Sequence, residues 1–146
     1  MSNILFVGVS GIDLFFKKMS IFENQKNNEM SPFVNNLLKN FDKIDFSLIK
    51  FKVQEELHWS DERIDNAISE YCKILIMIKL KVKIITTNDI DEIWKNHLIT
   101  KQYIDDCYYF FGDYLDYADM TINNNAEIKQ NMINMYKKYF CQDFVF

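Results

Sequence analysis

Asn88 to Tyr117 reads NDIDEIWKNHLITKQYIDDCYYFFGDYLDY, and the fold turns on how this stretch is read. Thr86 is followed three residues later by Asp89, and Asn88 is an alternative cap. Asp89, Asp91 and Glu92 suit a first helical turn, where unpaired backbone donors face outward. Ile90, Ile93, Trp94, His97 and Leu98 then fall on one face. Thr100 is placed to cap a second helix, with Ile104, Cys107, Tyr108, Phe111 and Leu115 as its apolar face. Gly112 interrupts that helix, a cost unless close packing requires it. The connection through Leu98, Ile99 and Thr100 is short, so the two helices pack as neighbours or meet at a sharp corner.

Outward from this pair, the chain keeps the same character. Its 146 residues are one domain's worth, enough for a real core. With 49% apolar residues, 13 Phe and 8 Tyr, it is too rich in large side chains to stay unfolded. One proline and three glycines leave few breakers, which favours helices over a turn-rich sandwich. A net charge of -4 and the lack of a continuous basic stripe argue against nucleic acid. Cys72, Cys107 and Cys141 are odd in number and widely spaced, which fits free thiols in a reducing compartment. MSNILFVGVSG has no basic region ahead of its apolar run, so it does not read as a cleavable leader, and no apolar run reaches membrane-spanning length. A cytoplasmic protein is expected.

The remaining elements follow from periodicity and caps. Residues 1–30 read as a variable amino-terminal segment: Ile4 to Val9 as a strand or a helix start, Ile12, Phe15, Phe16 and Met19 as an amphipathic face, then a polar linker. Gly8 and Gly11 lack the Gly-Lys-Ser/Thr of a phosphate loop. Ser31-Pro32 opens a helix carrying Phe33, Leu37, Leu38 and Phe41. Ile44 to Leu57 fits alternation as well as a helix through Phe46, Ile49, Val53 and Leu57, and the QEEL ending favours helix. Ser60 caps the next helix, with Asp61 and Glu62 in its first turn and Ile64, Ile68, Tyr71, Leu75 and Ile78 on one face. The unbroken apolar run from Ile74 to Ile78 predicts burial on more than one side. Val82 to Ile85 has strand-like alternation and would need a partner such as Ile4 to Val9. Asn124 and Glu127 have capping-box spacing before a last helix carrying Ile128, Met132, Met135 and Tyr139. The expected architecture is an all-α bundle of about five or six helices, with one short strand pair open near the amino terminus.

The candidate chemistry is sparse. His97 and Cys107 could be brought together by neighbouring helices, and both can ligate zinc, but two ligands fall short of the usual four. A His-Cys nucleophilic pair would need an exposed thiol and an orienting group. Asp105, Asp106 and Asp113 are near in sequence without sharing a face. Those three with Asp116 and Asp119 read as a solvated surface, and they lack the odd-position oxygens and central glycine of a calcium loop. His58 reads as the exposed end of a helix. The bland reading is a structural junction of Trp94, His97, Thr100, Cys107, Phe111 and Gly112, with His97 bonded to a backbone carbonyl or a Tyr hydroxyl. Tyr108, Tyr109, Phe110, Tyr114 and Tyr117 wrap around the second helix, cannot all face one core, and form a candidate interaction surface.

Asp89, Asp91, Glu92, Trp94, His97, Thr100, Tyr103, Asp106, Cys107, Phe111 and Gly112, with Trp59, Tyr71 and the terminal MYKKYF, make a pattern. It resembles the glycine-rich-domain-containing-protein-like family, mostly uncharacterised bacterial helical proteins with plant relatives. The resemblance covers residues 44–146. It implies a helical fold and, if the family holds a metal through His-x-His, Cys and a late His, a remnant of that site. Lys95 stands where the pattern has its first histidine and Tyr117 near the late one, so His97 and Cys107 are what this chain keeps.

The leading expectation is therefore a non-enzymatic helical interaction or accessory domain, without a cofactor, that takes a protein partner or self-associates. The main alternative is a divergent metal-binding protein or metal-dependent enzyme with a degenerate His/Cys site, zinc being the metal. A secreted bacterial effector is a further alternative.

Overall fold

A computed structural model of the chain describes residues 29–120 and 125–146. Among them are six helices of nine residues or more: α1 (Pro32–Asn40), α2 (Ser47–Leu57), α3 (Asp61–Lys79), α4 (Asn88–Leu98), α5 (Tyr103–Phe111) and, after the four-residue turn α6 (Tyr117–Met120), α7 (Ala126–Phe140). A single 3₁₀ turn, Phe41–Lys43, follows α1. The described residues contain no strand, so the class is all-α. The suggested strand at Val82 to Ile85 is irregular chain instead: the Val82 amide turns back to the Met77 carbonyl at 2.9 Å, and the Ile85 amide meets the Met132 sulfur at 3.1 Å. Ile4 to Val9 and the amphipathic pattern at Ile12 to Met19 lie outside the described residues.

Local chemistry starts most of these helices. Ser31 and Ser60 take the N-cap positions of α1 and α3, their hydroxyls accepting from the Val34 and Arg63 amides at 3.1 and 3.2 Å. Pro32 follows Ser31 at the first position, where a missing N–H costs nothing. Helix α2 begins at Ser47 rather than Ile44, because the Asp45 carboxylate captures the Ser47 amide at 2.9 Å and holds a turn there. Two caps sit one residue away from their expected places. Thr87, not Thr86 or Asn88, accepts the Ile90 amide, and Asn125, not Asn124, accepts the Ile128 amide. Thr86 instead donates to Asp91 at 2.6 Å.

Helix α3 is the central element and packs against α1, α2 and α4. Tyr71, Ile74, Ile76 and Met77 are shut off from solvent around its circumference, as the unbroken apolar run requires. Helix α7 closes another side: the Tyr136 hydroxyl donates to Glu70 of α3, and Phe144 from the tail packs on the Tyr136 ring at 5.0 Å. Its buried line is Met132, Tyr136 and Phe140: Met132 of the expected face is buried, while Ile128, Met135 and Tyr139 lie at the margin.

Helix α5 is rotated from its expected face. Its buried face is Tyr103, Cys107 and Phe110, while Ile104 and Tyr108 point outward. Thr100 does not cap it. The Thr100 hydroxyl donates to the His97 carbonyl at 2.7 Å and so closes the end of α4. Nor does α5 run through Gly112 to Leu115. Gly112 adopts φ 76° at its C-terminus, the left-handed conformation that ends a helix. A Cβ there would meet nothing within 4 Å, so its backbone angle, and not close packing, is why glycine serves. Gly112→Ala should therefore cost about 1–2 kcal/mol from the left-handed backbone alone. Urea unfolding followed by circular dichroism would measure it, and Gly112→Asn, which tolerates this region, should recover part of the loss.

Candidate functional site

The short corner between α4 and α5 brings one polar centre into the apolar interior. His97, on the last turn of α4, is 2% exposed. Its Nδ1 lies 2.8 Å from the Tyr71 hydroxyl of α3, and its Nε2 lies 2.7 Å from Asp106 Oδ2 on α5. A neutral ring satisfies both contacts at once: Nε2–H donates to the carboxylate, and Nδ1 accepts from the phenol. Gln102 holds the same Asp106 oxygen at 2.8 Å and the Asp45 carbonyl at 2.7 Å, tying the corner to the start of α2. Burial lowers the His97 pKa, while the bond to Asp106 and its charge oppose that shift.

Trp94, one turn before His97, completes the junction. Its indole N–H donates to the Tyr103 oxygen at 3.1 Å, and the Tyr103 hydroxyl donates in turn to the Leu115 carbonyl at 2.7 Å. Tyr117 stacks edge-on against Trp94 at 5.0 Å and donates to Asp91 at 3.1 Å. Phe110 sits 4.3 Å from Phe41, so it belongs to the core and not to the outer aromatic surface expected of it. Lys79 of α3 reaches the Phe110 carbonyl and lends a positive charge to the C-terminal end of α5.

Cys107 borders the same centre. A gap of about 10 Å³ lies among Tyr71, His97, Tyr103, Asp106 and Cys107, barely the space of one water molecule. Burial pushes the Cys107 thiol up, and the Leu115 backbone and the Tyr103 side chain pull the other way. Cys72 is buried as well and is pushed up to about 12 by the same loss of solvation. Nucleophilic cysteines need the opposite, an exposed thiol held in its anionic form. Both ring nitrogens of His97 are engaged, so a metal would first have to displace Tyr71 or Asp106. Among the described residues, no group of three or more His, Cys, Asp or Glu side chains could hold a metal ion. Chelator treatment should thus leave the melting temperature unchanged. Cys107→Ala should shift it only by the loss of one small buried group, and calorimetry with and without chelator checks both. A large chelator-dependent drop would reveal a metal bound at this junction.

Asp106 is the residue that sequence reading misplaced. Its side chain is 17% exposed and is not part of a solvated acidic surface. Its position beside His97 depends on the angle of the α4–α5 corner, which helical periodicity does not encode. Tyr71 was readable as a buried position of α3, and a Tyr hydroxyl was among the expected partners of His97. His58 stands exposed at the end of α2 in the left-handed region, φ 55°, as its reading implied.

On the solvent side of α5 the situation is reversed. Tyr108, Tyr109 and Tyr114 are 54%, 48% and 43% exposed. Tyr117, also assigned to this surface, is instead turned onto Trp94. No described helix is long and apolar enough to cross a membrane. Searches for a matching family model, a matching curated protein and a matching solved structure each found none.

Proposed function

We propose that the chain is a non-enzymatic helical interaction domain whose contact surface is the outer face of α5. The observation that carries this reading is the set of three tyrosine rings, Tyr108, Tyr109 and Tyr114, standing about half exposed on or just beyond one short helix. Tyrosine is enriched at protein interfaces because its ring supplies apolar area and its hydroxyl stays satisfied when wet. The polar centre beneath them supports the same reading. His97 is fully bonded and the gap beside it is too small for a substrate.

Kinship with the glycine-rich-domain-containing-protein-like family is proposed on the same grounds as before, and the geometry makes physical sense of the pattern. Asp91, Trp94, His97, Tyr103 and Asp106 bond to one another or to Tyr117, Tyr71 and Leu115. These bonds support reading the pattern as that of a helix junction.

The test is light scattering after size exclusion, joined to affinity capture from the native host with the chain and with Tyr108→Ala/Tyr109→Ala. Because both rings are about half exposed and outside the buried core, the double variant should keep its stability to within about 1 kcal/mol. It should nevertheless lose the captured partner or the self-association. A strictly monomeric protein that captures nothing would overturn the proposal.

A further inference from the structure

We infer that the outer face of α5 receives an arginine-bearing basic segment of a different protein. This rests on the reading of that face as a contact surface and adds the chemistry of what it takes.

Charge sets the sign of the partner. From Ile99 to Asp116 the chain has four carboxylates against one basic residue, Lys101. Asp106 is spent inward on His97. Asp105, Asp113 and Asp116 are exposed and form no ion pair among the described residues. Asp113 and Asp116 each use one oxygen on a nearby backbone amide, of Tyr114 and Ala118, which leaves the other oxygen available. An acidic or anionic ligand would be repelled here.

The aromatic neighbours select among cations. Asp105 lies three and four residues before Tyr108 and Tyr109, the spacing that puts side chains side by side on a helix surface. A carboxylate next to a ring face suits a guanidinium, which stacks its plane on the ring while its N–H pair meets the two carboxylate oxygens. An ammonium can do neither of these planar things. The same molecule contains a finished example elsewhere. Arg63 stacks 4.0 Å above the Trp59 ring and gives two hydrogen bonds to Asp89, at 2.9 and 3.1 Å.

That example also argues against self-association as the use of this face. Arg63 is the chain's one arginine, and its guanidinium is already committed to Asp89. A second copy of the chain brings no free arginine, so the guanidinium must come from another protein.

The experiment measures fluorescence anisotropy of labelled peptides of alternating arginine and serine against the full chain, beside matched lysine and citrulline versions. Binding should be strongest with arginine, weaker with lysine and absent with citrulline, and should fall as salt is raised. Asp105→Asn/Asp113→Asn and Tyr108→Ala/Tyr109→Ala should each weaken it by about tenfold, the first through loss of charge-assisted hydrogen bonds and the second through loss of stacking on the rings. Glu55→Gln/Glu56→Gln, which removes exposed charge from α2, should leave it unchanged. Equal binding of arginine and lysine peptides, equal weakening by the α2 control, or no binding at all would overturn the inference. Host capture separates this failure from failure of the contact surface itself. A partner lost with the tyrosine variant but kept with Asp105→Asn/Asp113→Asn preserves the surface and removes the arginine. A partner that neither variant affects removes both.

Discussion

Trp94→Ala is expected to cost about 3–5 kcal/mol of folding stability, the range for deleting a large aromatic side chain whose site cannot collapse. The indole is completely buried. Tyr71 and Tyr117 pack against it at 5.8 and 5.0 Å, and each is anchored by its own hydrogen bond, to His97 and to Asp91. Neither ring can slide into the cavity without giving up that bond. The Tyr103 oxygen would also lose its donor. Domains are stable by only about 5–15 kcal/mol, so this one substitution should remove a large share of the total. Denaturant unfolding followed by circular dichroism would measure it. Trp94→Phe separates the two losses: it keeps most of the packing, removes the N–H, and should cost well under half as much. A loss below about 1 kcal/mol for Trp94→Ala would mean that the site relaxes, and that the junction is not the rigid centre described here.

The second large effect belongs to His97. His97→Ala should cost about 2–4 kcal/mol, from an imidazole-sized cavity and from a buried Tyr71 hydroxyl left without its partner. The orphaned hydroxyl makes the distinguishing prediction. Adding Tyr71→Phe to His97→Ala should cost little further and could restore stability, whereas Tyr71→Phe alone should be destabilising. Additive losses would show that the two groups do not act as a pair.

The same bond gives a pH dependence. Burial holds the His97 pKa below its ordinary value of 6.5. The unfolded chain therefore binds a proton at this residue before the folded one does, and stability rises with pH across the interval between the two pKa values. The contribution is complete above about pH 6.5 and is lost as pH falls through the depressed value in the folded protein. A structural reason accompanies the sign. A protonated Nδ1 would compel the Tyr71 oxygen to accept, and its hydroxyl proton would then lack a buried acceptor. Carboxylates also contribute to acid unfolding, so the measurement is a difference: unfolding free energy between pH 8 and pH 5 should fall more for the native chain than for His97→Ala/Tyr71→Phe. A difference of zero would show that folding leaves the His97 pKa unchanged, and one of opposite sign that the folded protein favours the imidazolium; either outcome contradicts the prediction.

How much could be read from the chain depends on the range of the interaction. Ser31-Pro32 and Ser60 were legible because a cap is made within four residues of chain and needs no tertiary partner. Thr87 and Asn125 lie one position from the expected caps because a neighbouring residue of similar capping ability stands beside each. The buried circumference of α3 was legible because Ile74 to Met77 leave no polar side to expose. The amphipathic lines of α5 and α7 were legible only in part: Cys107 and Met132 are buried as their spacing implies, but aromatic residues fill most of α5, and in α7 Met and Tyr residues fall on more than one face. In α5 the choice was made at a distance: Tyr103 has to reach Trp94 and Leu115, Phe110 has to meet Phe41, and these contacts turn Ile104 and Tyr108 outward.

The sequence by itself determined an all-helical domain, its central helix, and the burial of Trp94 and His97, because periodicity, caps and the scarcity of breakers act locally along the chain. Tertiary structure alone decided that Asp106 belongs to His97 and which tyrosines face solvent. Each of these depends on the angle at which α5 leaves α4. That angle is set by contacts between residues far apart in sequence, Gln102 with Asp45 and Phe41 with Phe110, and no spacing within either helix records it.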